Sequence, residues 1–222
     1  MKHLRKGVDL WPLIANPSAS VQQRINQTLA KLNLKLADSL KQCDADYREW
    51  SKQSGDNATK DSSGDWERKI RVTMIGPRLL SMVAADSQFC GGAYPNAETF
   101  AMVFDLNTGK PLNWMAIIAP SSQAKPYSDT IYDGTTVGAL IVPALLEMSR
   151  AKADAECKDA LEDGLSYQLW PDAKTGTLVA EPFDLPHVVA ACAEDLSLTP
   201  AQARKLGFDE SILTAIEQAH HK

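Results

Sequence analysis

The stretch that most constrains this chain is residues 89–110, FCGGAYPNAETFAMVFDLNTGK. Gly91-Gly92 admits positive-φ backbone that residues with a β-carbon resist. Tyr94-Pro95-Asn96 reads as a turn, and Phe100–Leu106 as a strand that follows it. Asp105 is placed to accept hydrogen bonds from the backbone of the next turn, and Asn107-Thr108-Gly109 has the residues of a hairpin loop, with Gly109 at its left-handed position. A second short apolar segment, Pro111–Ile118, pairs back. The stretch holds no metal cage and no phosphate loop. Its residues position backbone.

The elements on either side suit an antiparallel meander. Trp66–Ile75 alternates, with Trp66, Arg68, Ile70, Val72 and Met74 on one face, the pattern of a half-buried strand. Gly76-Pro77 turns it into a strand over Leu79–Ala85, and the glycine stretch follows. Such a sheet needs a cover on one face. A helix capped by Ser18 or Ser20 supplies it, with Val21, Ile25, Leu29, Leu32, Leu36 and Leu40 along one side. Residues 1–18 read as an extended lead-in carrying Trp11-Pro12-Leu13-Ile14, and residues 47–65 as a polar loop that includes Trp50.

A second main helix begins near Tyr132 and runs on through Leu161, past Cys157, with Pro143 bending it or marking its start. Leu165–Trp170 and Thr177–Phe183 form a hairpin. Thr199-Pro200 and Asp209-Glu210-Ser211 open two short helices separated by Gly207. The expected architecture is therefore a single α+β domain over residues 1–222: an antiparallel meander sheet packed against two main helices, with short C-terminal helices.

Composition removes several function classes. A net charge of −5 without a basic, aromatic-bearing stripe argues against nucleic acid as partner. No apolar run approaches the roughly 20 residues of a membrane span. The charged start Met1–Lys6 is not followed by an apolar stretch, so a secreted chain would here be in its mature form.

The sequence points to no cofactor and no metal. His3, His220 and His221 lie at the termini, and His187 lacks an evident nucleophile and orienting acid. Asp105, Asp129, Asp133 and Asp184 sit beside turns, with no pair nominated for glycoside hydrolysis. Cys90 next to two glycines resembles a nucleophile elbow, but a strand follows it where an elbow needs a helix. The expectation is no catalytic residue. Binding would fall to aromatics, which dominate interface hot spots: Trp50, Tyr94, Tyr127 and Tyr132.

The order Leu80-Ser81, Cys90-Gly91-Gly92-Ala93-Tyr94-Pro95 and Phe104-Asp105-Leu106-Asn107-Thr108-Gly109-Lys110 resembles the extracytoplasmic domain of the anti-sigma factor RsiV. The same domain precedes the catalytic part of PdaC-type peptidoglycan deacetylases. The family pattern has His where this chain has Tyr94. The resemblance implies an α+β domain outside the cytoplasm that binds a protein, a lysozyme-like muramidase or a secreted toxin, in an inhibitor or immunity role in the periplasm. An envelope carbohydrate-active hydrolase and a structural envelope subunit are the alternatives. Four cysteines without CxxC spacing leave three pairings open. The expected one is Cys43–Cys90 with Cys157–Cys192, each tying a helix end to a segment near a strand in an oxidising compartment.

Overall fold

The computed structural model describes residues 3–15, 19–55, 59, 62–127, 131–132, 135–136, 138–161, 165–183, 185, 187–192 and 194–221; the side chains of residues 131, 132, 135, 136, 187 and 188 are outside the description. The fold is α+β. The chain packs as two compact units, one from Met1–Arg71 with Ala84–Phe100, the other from Val72–Val83 with Ala101–Lys222.

The first sheet has the order β1 (His3–Arg5), β2 (Val8–Asp9), β3 (Asp65–Ile75), β4 (Leu79–Phe89), β5 (Asn96–Asp105), β6 (Lys110–Pro111). From β3 to β6 this is the expected meander order. The lead-in is more than extended chain: β1 and β2 pair antiparallel, and β2 joins β3 in parallel at Val8 and Arg68.

In the first unit, α1 (Ser20–Gln53) buries Ile25, Leu29, Leu32, Leu36, Leu40 and Cys43. Leu36, Leu40 and Cys43 pack with Val8 and Trp66. The helix runs well into the segment read as a polar loop. Nothing between Tyr47 and Gln53 breaks a helix, and the first glycine is Gly55 in left-handed backbone, φ 79°. Polarity there marks an exposed helix face, so the loop reading of Tyr47–Gln53 is corrected.

The alternation of β3 holds through Trp66, Arg68 and Ile70 and then fails. Val72 is 45% exposed, while Thr73 and Met74 are both buried. Thr73 is accommodated by donating from its hydroxyl to Ser81 Oγ at 2.7 Å.

The second unit is built on a five-stranded sheet, β13 (Leu196–Leu198), β12 (Thr177–Phe183), β11 (Ser166–Asp172), β10 (Leu140–Ile141), β7 (Lys125–Pro126). The expected hairpin, β11 with β12, forms its centre. Six consecutive residues of β11 are buried, as befits a central strand covered on both faces. The strands outside the hairpin, β13, β10 and β7, are two or three residues long and gave no periodic signal. A separate pair, β8 (Ile131–Tyr132) and β9 (Thr135–Thr136), precedes β10.

Pro143 marks a helix start. α2 covers Pro143–Lys152, and it does not continue through Cys157. Ala153 turns extended, Asp154 caps α3 (Ala155–Ala160), and its carboxylate accepts from Cys157 N at 2.8 Å. After the short α4 (His187–Ala190) come α5 (Pro200–Lys205), with the Thr199–Gln202 capping box, and α6 (Glu210–His220), capped by Asp209. Near the end of α6, His220 Nδ1 lies 2.9 Å from Ala173 O. Both C-terminal helices stand where their start signals put them.

Candidate functional site

The site grows from the glycine stretch of the first unit. β4 ends at Phe89, β5 begins at Asn96, and the six residues between form its loop. Gly91 and Gly92 have φ of 106° and 102°. At Gly91 a second constraint applies: a β-carbon would sit 2.6 Å from Cβ and 2.9 Å from Cγ of Trp50. Only glycine lets the loop lie on that indole.

Trp50 is thus on the last turn of α1, and its position in a polar loop is corrected. Its ring meets Phe89 edge-on, with centroids 5.2 Å apart, and Tyr47 one helical turn earlier at 5.8 Å. Tyr47 also meets Phe89 at 6.2 Å. These three half-buried rings form the floor of the loop. Sequence reading missed Tyr47 and Phe89; the signal was the i, i+3 spacing of Tyr47 and Trp50, hidden once the segment was taken as a loop.

A covalent bond fixes the same corner. Of the three possible pairings, the structure joins Cys43 of α1 to Cys90 and Cys157 of α3 to Cys192. Gly64 packs against Cys43, where a β-carbon would be 2.7 Å from Sγ. Gly64 is held by the next residue of the helix: its N–H donates to Asp44 Oδ1 at 3.1 Å, and Arg5 bridges Asp44 and the Gly64 carbonyl at 3.1 and 3.0 Å. From this floor Tyr94 projects with 72% of its surface exposed, followed by Pro95.

The other nominated residues divide. At the following turn Asp105 Oδ1 accepts from Asn107 N at 2.7 Å, and Gly109 is left-handed with φ 69°. Tyr127 belongs to the second unit, half-buried edge-on against Phe183 at 6.3 Å. Tyr132 lies in β8, and its side chain is outside the described residues, as is that of His187; Asp129, Asp133 and Asp184 are also outside them. The structure therefore brings together Trp50, Cys43, Cys90, Gly91, Gly92 and Tyr94.

No group of three or more His, Cys, Asp or Glu among the described residues could hold a metal ion. An open cleft of about 590 Å³ in the second unit is lined by Glu147, Arg150, Ala151, Lys158 and Asp159. Glu147 there is 72% exposed and ion-paired with Arg150 at 3.3 Å. Tyr167 is buried against Ser149 at 2.8 Å, and burial pushes its hydroxyl up to about 12, which suits a structural hydrogen bond better than proton transfer near neutrality.

No protein-family model matches the chain, and comparison with curated proteins gives no match. A solved structure, a DUF3298-family member from Bacteroides fragilis, is similar over 92% of this chain and 75% of its own, at 13% identity and a TM-score of 0.43. The two disulfides fit an extracytoplasmic chain, and no helix among the described residues is long and apolar enough to cross a membrane.

Proposed function

We propose that this protein is a non-catalytic periplasmic binding protein, and that the Gly91–Pro95 loop docks it onto a cell-wall-active muramidase or a secreted antibacterial toxin, which it inhibits. One observation carries this reading: Tyr94 is 72% exposed at the tip of a loop fixed by the Cys43–Cys90 bond and by the seat of Gly91 on Trp50. A mobile loop loses conformational freedom on binding, whereas a loop already held in place loses little. Tyrosine adds a large contact area with few rotatable bonds and a polar tip. The net charge of −5 favours encounter with a basic partner such as a lysozyme.

The test is binding of a purified muramidase to the oxidised full chain by calorimetry. Tyr94→Ala should weaken that binding by about tenfold or more, a hot-spot effect, while the unfolding transition stays in place. Equal affinity in the variant would remove Tyr94 from the interface. Absence of binding to any of a panel of muramidases and wall-directed toxins would overturn the reading.

A further inference from the structure

The two halves of α1 treat their charges differently. From Asp38 onward the cations have partners: Lys41 lies 2.9 Å from Asp38, Lys52 lies 3.7 Å from Glu49, and Arg48 donates to Ser62 O at 3.1 Å. Residues 20–37 carry Arg24, Lys31 and Lys35 and not one acid. None of these three side chains has an ion pair among the described residues.

Local helix chemistry does not account for this. An acid four residues from a lysine supports an exposed helix, and like charges at that spacing oppose each other. Lys31 and Lys35 stand at that spacing, and the residues four before and four after the pair are Gln27 and Ser39. At 3.6 residues per turn, Arg24, Lys31 and Lys35 fall within about 40° of one another. Their line runs about 110° around the helix from the buried one through Ile25, Leu29, Leu32 and Leu36.

Leu34 lies beside the cations, one turn beyond Lys31, and is 70% exposed. A single exposed leucine is ordinary, but this one falls between two unpaired lysines. The chain has a net charge of −5, so with three positive charges in residues 20–37 the remainder carries −8. The patch is thus opposite in sign to the rest of the molecule.

Residues 20–37 contain no aromatic, so they offer neither the anchors of a protein interface nor a stacking platform for bases. A bilayer with anionic headgroups asks for neither. It attracts each cation near its surface and takes up an apolar side chain at the boundary beneath the headgroups.

We propose that the N-terminal half of α1 is a peripheral docking face for an anionic phospholipid bilayer, with Arg24, Lys31 and Lys35 against the headgroups and Leu34 inserted among them. The acidic remainder of the chain is repelled by the same surface, which fixes the side that approaches. The face shares no residue with the Tyr94 loop and does not rest on the function proposed for that loop.

The test is flotation of the oxidised full chain with vesicles of equal parts phosphatidylglycerol and phosphatidylcholine, and with vesicles of phosphatidylcholine alone. At about 50 mM salt the chain should float with the anionic vesicles only, and about 0.5 M salt should release it. Each cation at an anionic surface contributes about fivefold in affinity, so Lys31→Gln/Lys35→Gln should weaken binding about 25-fold. Lys41→Gln/Lys52→Gln removes the same charge from the other half of the helix and should leave binding in place. Leu34→Gln should weaken it about fivefold. None of these substitutions alters the buried face of α1, so the unfolding transition should not move.

No flotation with anionic vesicles at low salt overturns the proposal. So does an equal loss in the two double variants, which would mark diffuse charge in place of this face. Binding that Leu34→Gln leaves unchanged and that polyglutamate displaces would assign the face to an acidic polymer and overturn it as well.

Discussion

The two units keep a buried ionisable group in different company. In the first, Arg68 and Asp86 are both buried, 3.3 Å apart, and Trp66 Nε1 donates to Asp86 at 2.9 Å. Burial raises the Asp86 carboxyl above its ordinary range, against the opposing pull of Arg68 and of the Trp66 hydrogen bond. In the second, the counterpart is Tyr167, whose partner is the neutral hydroxyl of Ser149, set in a largely apolar core that includes Trp114, Leu145, Leu169, Trp170 and Ile212. A charge taken out of water must keep its counter-charge, whereas a neutral hydroxyl needs only one hydrogen bond. The first interior is thus the more sensitive to loss of a single partner, and the second is sensitive to alkali.

Three measurements break or sharpen that contrast. The largest effect belongs to Asp86→Ala, which takes the paired carboxylate from a buried guanidinium and should cost about 3–5 kcal/mol in chemical denaturation. Asp86→Asn, which can keep the Trp66 hydrogen bond, should cost less. Arg68→Met/Asp86→Leu should lie closer to the parent than Asp86→Ala does. If the double variant were the worst of the three, the pair would be a net stabiliser and the contrast would need restating.

The second measurement is alkaline unfolding. Tyr167 holds its proton up to about 12 against an ordinary 10.0. A folded-state value above the unfolded one gives stability that is complete below pH 10 and is lost as pH rises through 12. The loss amounts to about 3 kcal/mol. Tyr167→Phe should lack that component of the alkaline slope. An unchanged slope in the variant would place the titrating group elsewhere.

The third and smallest effect compares the disulfides. Their sequence separations are 47 and 35, so loop-closure entropy gives each about 4 kcal/mol, with a difference of only about 0.3 kcal/mol. Their surroundings differ more: Cys43 is 3% exposed beneath Gly64 and only Cys90 of that pair is half-buried, whereas Cys157 and Cys192 are both half-buried beside a cleft of about 220 Å³ that Ser149, Lys152, Ala153, Asp154 and Glu194 line with them. Thiolate attack needs access to sulfur. Under limiting thiol, alkylation and mass spectrometry should find Cys157–Cys192 reduced first. Reduction of Cys43–Cys90 first would mean that the first unit opens more readily than its burial implies.

The sequence by itself determined the elements whose signals are local. The leucine stripe of α1, the meander order of β3 to β5, the left-handed glycines 91, 92 and 109, the β11–β12 hairpin and the two capped C-terminal helices all follow from residue spacing or from backbone chemistry at one position. A cap, a stripe or a positive φ acts within a few residues and needs no partner from afar. Tertiary structure decided whatever depended on a distant neighbour. Tyr47–Gln53 is helical although its surface reads as loop, because its aromatics face Phe89 and Gly91 on the other side of the sequence gap. Val72 left the buried face of β3 because Thr73 found Ser81. β7, β10 and β13 are too short for any period to show, and exist only as additions on either side of a central hairpin. Asn26 and Asn33 gave no signal at all on a helix surface, since their partners are the backbone N–H and carbonyl of Ile14 and of Trp11, groups that any sequence would present.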